Sequence, residues 1–258
     1  MLTPLKPVGA RARAILGISF FVLFVALWSA VSYSGLVAPH FLANPVATVG
    51  AGLNLFAIYS FQIDVGLTVW RVLGGFAIAT AIGVPLGILM GAYKPIEALF
   101  EPFVSFARYL PASAFIPLLI LWAGIGESSK LAVIFIGSFF QLVLMVAVIV
   151  GSTRRDLVEA AYTLGASPTG IVRRVLLPAS APQIAEALRL VLGWAWTYVI
   201  VAEFIGAERG IGKTIIDSQA LLNTGQIIFG IVVIGIIGLV SDYLFKLVNQ
   251  KLYPWSLA

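Results

Sequence analysis

Between Leu131 and Gly151 the chain runs for 21 residues without a charge, as LAVIFIGSFFQLVLMVAVIVG. Coiled at about 1.5 Å per residue, such a stretch crosses the roughly 30 Å hydrocarbon core of a bilayer. Other runs resemble it, at Ile15–Tyr33, Thr68–Ala92, Phe103–Ala123, Leu188–Gly206 and Ile227–Leu247. In lipid, only helices and closed barrels satisfy every backbone N–H and C=O. A barrel would show short alternating segments, and these runs are continuous. The expected fold is all-α, a polytopic membrane protein with about six transmembrane helices. Composition agrees: 10% of the residues are charged, against about 25% in soluble domains.

Lys6, Arg11 and Arg13 precede the first run, as in a secretion signal. The run is longer than the roughly 7–15 residues of a signal core and no small-residue cleavage site follows, so it reads as a retained span. Orientation follows from positive charge. With the N-terminus inside, Lys6, Arg11, Arg13, Lys94, Arg108, Arg154, Arg155, Arg173, Arg174, Arg189, Lys246 and Lys251 share one side, 12 of the 16 Lys and Arg. Arg71, Lys130, Arg209 and Lys213 take the other. Both termini are therefore expected in the cytoplasm, with residues 1–14 as a cytoplasmic segment and 15–258 as the membrane domain. The net charge of +5 is explained by this bias, so no nucleic-acid partner is implied.

Two features inside the spans leave alternatives open. Gly83, Gly87 and Gly91 recur every four residues along one helix face, where backbones approach closely. That face packs either within the subunit or against a second one. Pro111 and Pro117 break the third span at membrane depth. The freed carbonyls mark either a helix lining a water-filled path or a plain kink.

The interruption between spans four and five, within residues 152–183, reads EAAYTLGASPTGIVRRVLLP from Glu159 to Pro178. Glu159–Leu164 favours helix, and Gly165 supplies a stop that tolerates positive φ. Ser167 is placed to cap a second helix with Pro168 at its first position. Ile171, Val172 and Val175 then form an apolar stripe, and Pro178 is expected to end that helix. Helices this short are unstable alone in water, so the pair must rest on its own spans or on a partner.

Glu159-Ala160-Ala161, Gly165 and Val175-x-Leu177-Pro178 resemble the EAA-x3-G-x9-I-x-L-P loop of membrane subunits of bacterial ATP-binding-cassette importers, with Val175 in place of Ile. Thr68–Gly91, Pro117–Phe135 and Ala202–Gly212 look like the branch importing sulfonates, taurine, nitrate or bicarbonate. The resemblance implies a type I importer permease for a small anionic solute, working as a pair, here a homodimer. It implies two ATPase subunits, an external solute-binding protein and residence in the bacterial inner membrane. The loop would be the coupling helix seated on the ATPase, with Glu159, Ala160, Ala161 and Gly165 at that contact and Val175, Leu177 and Pro178 completing the set of coupling residues. ATP and Mg would be bound by the partner, leaving no cofactor in this chain. The alternative is a carrier or channel working alone, which would need ionisable coupling residues deep in its spans.

AERGIGKT, Ala207–Thr214, fits a loosened phosphate-loop pattern but follows a membrane span instead of a strand, so it reads as a glycine-rich turn. Glu203 either pairs with Arg71 or caps a neighbouring backbone. Arg108 either marks the cytoplasmic boundary or attracts an anion. Ser138 and Gln141, three apart, and Trp194 and Tyr198, four apart, share helix faces that either pack in the core or face a polar path, and Ser138, Gln141 and Trp194 stand with Arg108 and Glu203 as candidates for the translocation path. With no cysteine and one histidine, His40, and no nucleophile–base pair, neither a metal centre nor a catalytic site is expected.

Overall fold

The computed structural model describes residues 8–257. Lys6 and the start of the expected cytoplasmic segment lie outside the described residues, as does Ala258. Five described helices are long and apolar enough to cross a membrane, and a sixth span is formed if a pair bent by 86° is counted as one. No strand occurs among the described residues. The chain divides into two units, one built from the residues up to Ser60 with Ile215–Ile231, the other from Phe61–Thr214 with Val232 onward.

In the first unit, α1 (Ala10–Tyr33) exposes every residue from Arg11 to Leu27. A helix apolar all round needs no partner face in lipid. Trp28 donates its Nε1 hydrogen to the Ala43 carbonyl at 3.0 Å, tying the following turn back to the helix. That turn leads into α2 (Pro45–Ile58), a helix that periodicity alone did not suggest. Its start is nonetheless written in ANP: Asn44 accepts from Ala47 N–H at 2.8 Å and Pro45 occupies the first turn.

The second unit is organised around three long helices. α3 (Phe61–Ala92) is followed by α4 (Lys94–Ala107), a 3-10 turn (Ala112–Phe115), α5 (Ile116–Ala123) and α6 (Glu127–Gly151). The short α7 (Arg155–Thr163) and α8 (Pro168–Ile171) precede α9 (Leu177–Phe204). α10 (Ile211–Ala220) and α11 (Thr224–Leu252) close the chain, each running from one unit into the other. The core joins Val72 and Phe76 of α3, Ile134, Leu142 and Val146 of α6, and Val191, Ala195, Trp196 and Val199 of α9. Trp196 donates to Ser241 Oγ at 3.0 Å and Arg189 reaches both Asp242 oxygens at 3.0 Å, fastening α11 to α9.

Lipid tails are as apolar as leucine, so close packing holds such helices together. The glycine stripe of α3 supplies it. A Cβ at Gly87 would lie 2.7 Å from the Val143 carbonyl oxygen, and one at Gly91 2.5 Å from that of Ala147. Gly83 faces Phe139 and Leu142. The stripe is taken up by α6 of the same chain.

Two proline expectations are corrected. Pro178 does not end a helix: α8, a π turn (Val172–Leu176) and α9 form one rod from Pro168 to Phe204. An α-helix would drive the proline ring into the carbonyl four residues back. The π turn widens the coil, so Leu177 N–H bonds Val172 O instead. Pro117 likewise opens α5, where its missing N–H costs nothing. Only the bend at residues 108–111, leading to Pro111, breaks the third span.

Candidate functional site

At one end of the second unit stands the elbow between α6 and α9. α7 ends in two bonds that cross its terminus, Gly165 N–H to Tyr162 O at 2.9 Å and Ala166 N–H to Ala161 O at 3.0 Å. This pattern requires a left-handed residue, and Gly165 has φ +79°. Ser167 caps α8 by accepting from Gly170 N–H at 3.2 Å. Both expectations from the sequence hold. The elbow has two faces. Val158, Ala161, Ala166, Val172 and Val175 pack inward against the core, with Leu177 half-buried. Glu159, Ala160, Tyr162, Leu164 and Gly165 point outward with Pro178, and Leu164 is 87% exposed. Ala161 therefore belongs to the anchoring side. The Arg154 guanidinium hydrogen-bonds Asp156 and holds its carboxyl below the usual carboxylate range, keeping a negative charge at the start of α7.

At the opposite ends of these helices lies an ion network. Asp64, Thr68 and Arg71 recur at i, i+4 and i+7 on α3, one polar stripe on an apolar helix. Arg71 makes a bidentate pair with Glu127 at 2.7 Å in both arms, and its Nη1 also donates to Glu203 Oε1 at 2.7 Å. Glu203, with no exposed surface, accepts further from Thr68 Oγ1 at 2.8 Å and from Gly212 N–H at 2.7 Å. Lys130 pairs with Glu127 at 3.3 Å, and Gly210 N–H donates to Asp64 Oδ1 at 3.0 Å. Three cations (Arg71, Lys130, Arg209) meet three carboxylates (Asp64, Glu127, Glu203), so the formal charges cancel. Of the two roles open for Glu203, both are filled: it pairs with Arg71 and caps a neighbouring backbone.

The AERGIGKT turn is explained by the same cluster. Its N–H groups at Gly210, Ile211 and Gly212 do cradle oxygens, but those of Asp64, Thr68 and Glu203. Gly210, at φ +133°, could carry no Cβ, which would sit 2.5 Å from Glu203 Cδ. The place a phosphate would take is filled by the chain's own carboxylates.

Between the two ends, the bend of the third span opens a cavity of about 370 Å³ against α6 and α9. Arg108, Gln141, Trp194, Thr197 and Tyr198 supply its polar lining, with Phe140 among the apolar residues. The structure thus brings together Arg108, Gln141 and Trp194, three of the five residues singled out for a path. Ser138 is fully buried outside this lining, and Glu203 belongs to the ion network. The charge rule placed Arg108 at the boundary, but the bend carries it alongside the middle of α6 and α9. Thr197 and Gly137 were missed by the sequence reading. A Cβ on Gly137 would lie 2.5 Å from the Tyr198 ring, so the glycine admits that ring to the wall.

A helical bundle with a cavity at mid-span and a two-faced elbow between spans fits the membrane subunit of a transporter. The sequence model of the family described as "Binding-protein-dependent transport system inner membrane component" matches residues 83–253, and the chain belongs to this family. A "Probable ABC transporter permease protein" of Brucella abortus is 36% identical over 92% of this chain and 93% of its own. The taurine transport system permease protein TauC of Escherichia coli is 29% identical over 94% and 90%. A chain of the inward-facing MetNI methionine ABC transporter shares the fold, with TM-score 0.59 and 20% identity over 74% of this chain and 97% of that one. The protein is accordingly a multi-pass permease subunit of an ATP-binding-cassette importer, a transport component and not an enzyme. Its family works with a solute-binding protein and an ATPase.

Proposed function

We propose that this permease acts as a homodimer that imports a small anionic solute, taurine or another sulfonate, nitrate or a bicarbonate-like ion, and that residues 152–183 couple it to two ATPase subunits. ATP and Mg are held by those partners. Residues 1–14 and the C-terminus face the cytoplasm, residues 15–258 form the permease domain, and the ion network lies on the external side. Kinship with TauC supports a solute that carries a sulfonate. Arg108, Gln141 and Trp194 are assigned to the path, Ser138 to packing and Glu203 to the network.

The observation that carries the coupling role is the two-faced elbow. Glu159, Ala160 and Gly165 turn outward, while Ala161 and Val175 lock the same element to the rod of α9. Pushing the outer face must therefore move a membrane helix. Replacing Gly165 by Val tests this, because a β-branched residue is strained at positive φ. The variant is expected to insert normally but to lose ATP-driven uptake by more than about tenfold, with less ATPase co-purifying. Normal transport with the ATPase fully bound would refute the role.

A further inference from the structure

Arg108 is a cation that no described residue neutralises. Among the described residues it forms no ion pair. Its contacts are with the next residue: Nη2 donates to Tyr109 Oη at 2.7 Å, and the guanidinium carbon lies 4.6 Å from the centre of that ring. A guanidinium carries five N–H donors, so most of them remain for something else. The lining of the cavity contains no Asp or Glu. An adjoining cavity of about 330 Å³, which shares Arg108, Thr197 and Tyr198, contains none either.

Depth makes this charge informative. Within α6 (Glu127–Gly151), Gln141 lies 14 residues from one end and 10 from the other, about 21 Å and 15 Å along the axis. On α9, Trp194 and Tyr198 fall between Arg189, paired with Asp242, and Glu203 in the ion network. A charge at that depth is costly unless it faces water or a counter-charge. The cavity is small for a ligand site, which typically occupies about 300–1,000 Å³. Its walls divide the work: Arg108 brings charge, Gln141 and Tyr198 bring an amide and a phenol, and Phe140 and Trp194 bring apolar rings.

We propose that the cavity around Arg108 is an anion-selective station at mid-depth, taking the oxyanion group of a small solute on the guanidinium, with the rest of the solute against Trp194 and Phe140. It rests on the importer reading above and adds to it the residue that selects by charge. Inorganic cations and solutes whose only charge is an ammonium are excluded there by Arg108 in the absence of any carboxylate.

The absence of native cysteine gives a direct test. Thr197→Cys places one thiol on the wall of both cavities. Its labelling by 2-sulfonatoethyl methanethiosulfonate and by the trimethylammonioethyl reagent is followed by mass on this chain, in the assembled complex, with each rate divided by that of free cysteine. The anionic reagent is expected to react about tenfold faster, the size of effect one nearby charge gives in a partly hydrated site. Adding Arg108→Gln removes the preference, and adding Arg108→Lys keeps most of it. Equal rates, a preference unchanged by Arg108→Gln, or no labelling by either reagent would overturn the station. None of these results bears on the importer reading, which the Gly165 variant tests through ATP-driven uptake.

Discussion

Glu203 and Glu127 hold the same arginine from opposite sides, in different surroundings. Glu203 has no exposed surface, and its side chain takes three described donors. Glu127 is half-exposed, and water can replace part of what it loses or gives. Glu203→Ala leaves Thr68 Oγ1, Gly212 N–H and one arm of Arg71 without their buried acceptor, so it is expected to destabilise by about 3–5 kcal/mol. Glu127→Ala should cost about 1 kcal/mol or less after solvent screening. Thermal unfolding of the two variants in nanodiscs checks the order, and equal losses would contradict this account of the network. The pairing of Arg71 with Glu203 was legible as one of two readings, because both are costly inside spans. The parts played by Asp64, Thr68 and Glu127 were not, although the i, i+4, i+7 stripe on α3 was a signal for the first two.

Among the elements, α3 and α6 pack through glycine backbone in place of side chains. Gly87→Ala puts a methyl 2.7 Å from the Val143 oxygen, where no flexible side chain can yield. It is expected to cost about 1–3 kcal/mol, as overpacking does. Gly66→Ala, on the same helix with nothing within 4 Å of the new methyl, is expected to be neutral or to stabilise slightly through helix propensity. Melting temperatures of the two variants decide whether the stripe or helix propensity matters. Spacing alone showed that a close approach exists on this face. It could not show whose backbone approaches, since a helix of a second subunit presents the same surface. The rod from Pro168 to Phe204 was hidden for a related reason: proline reads as a stop unless a π turn moves the obstructing carbonyl, and that depends on local coiling.

For the molecule as a whole, the elbow, the three-helix core and the ion network form one connected second unit, with the cavity between elbow and network. A single chain supplies one elbow, so the two ATPase subunits proposed above would need two permease copies. Native mass measurement of the purified complex is expected to find two copies of this chain with two ATPase subunits. One copy beside a different permease would overturn the homodimer.

What the sequence determined by itself was everything that follows from chain-local physics. Long uncharged runs demand membrane helices, and the caps at Ser167 and Gly165 specify an elbow whatever it touches. The tertiary structure decided what depends on distance between remote residues. It put Arg108 beside the middle of α6 and α9, at the 86° bend between α4 and the helix that follows. It filled the AERGIGKT turn with the carboxylates of Asp64 and Glu203, and turned Ala161 inward while leaving Ala160 outside. Periodicity records which residues share a face, but only packing records what that face meets.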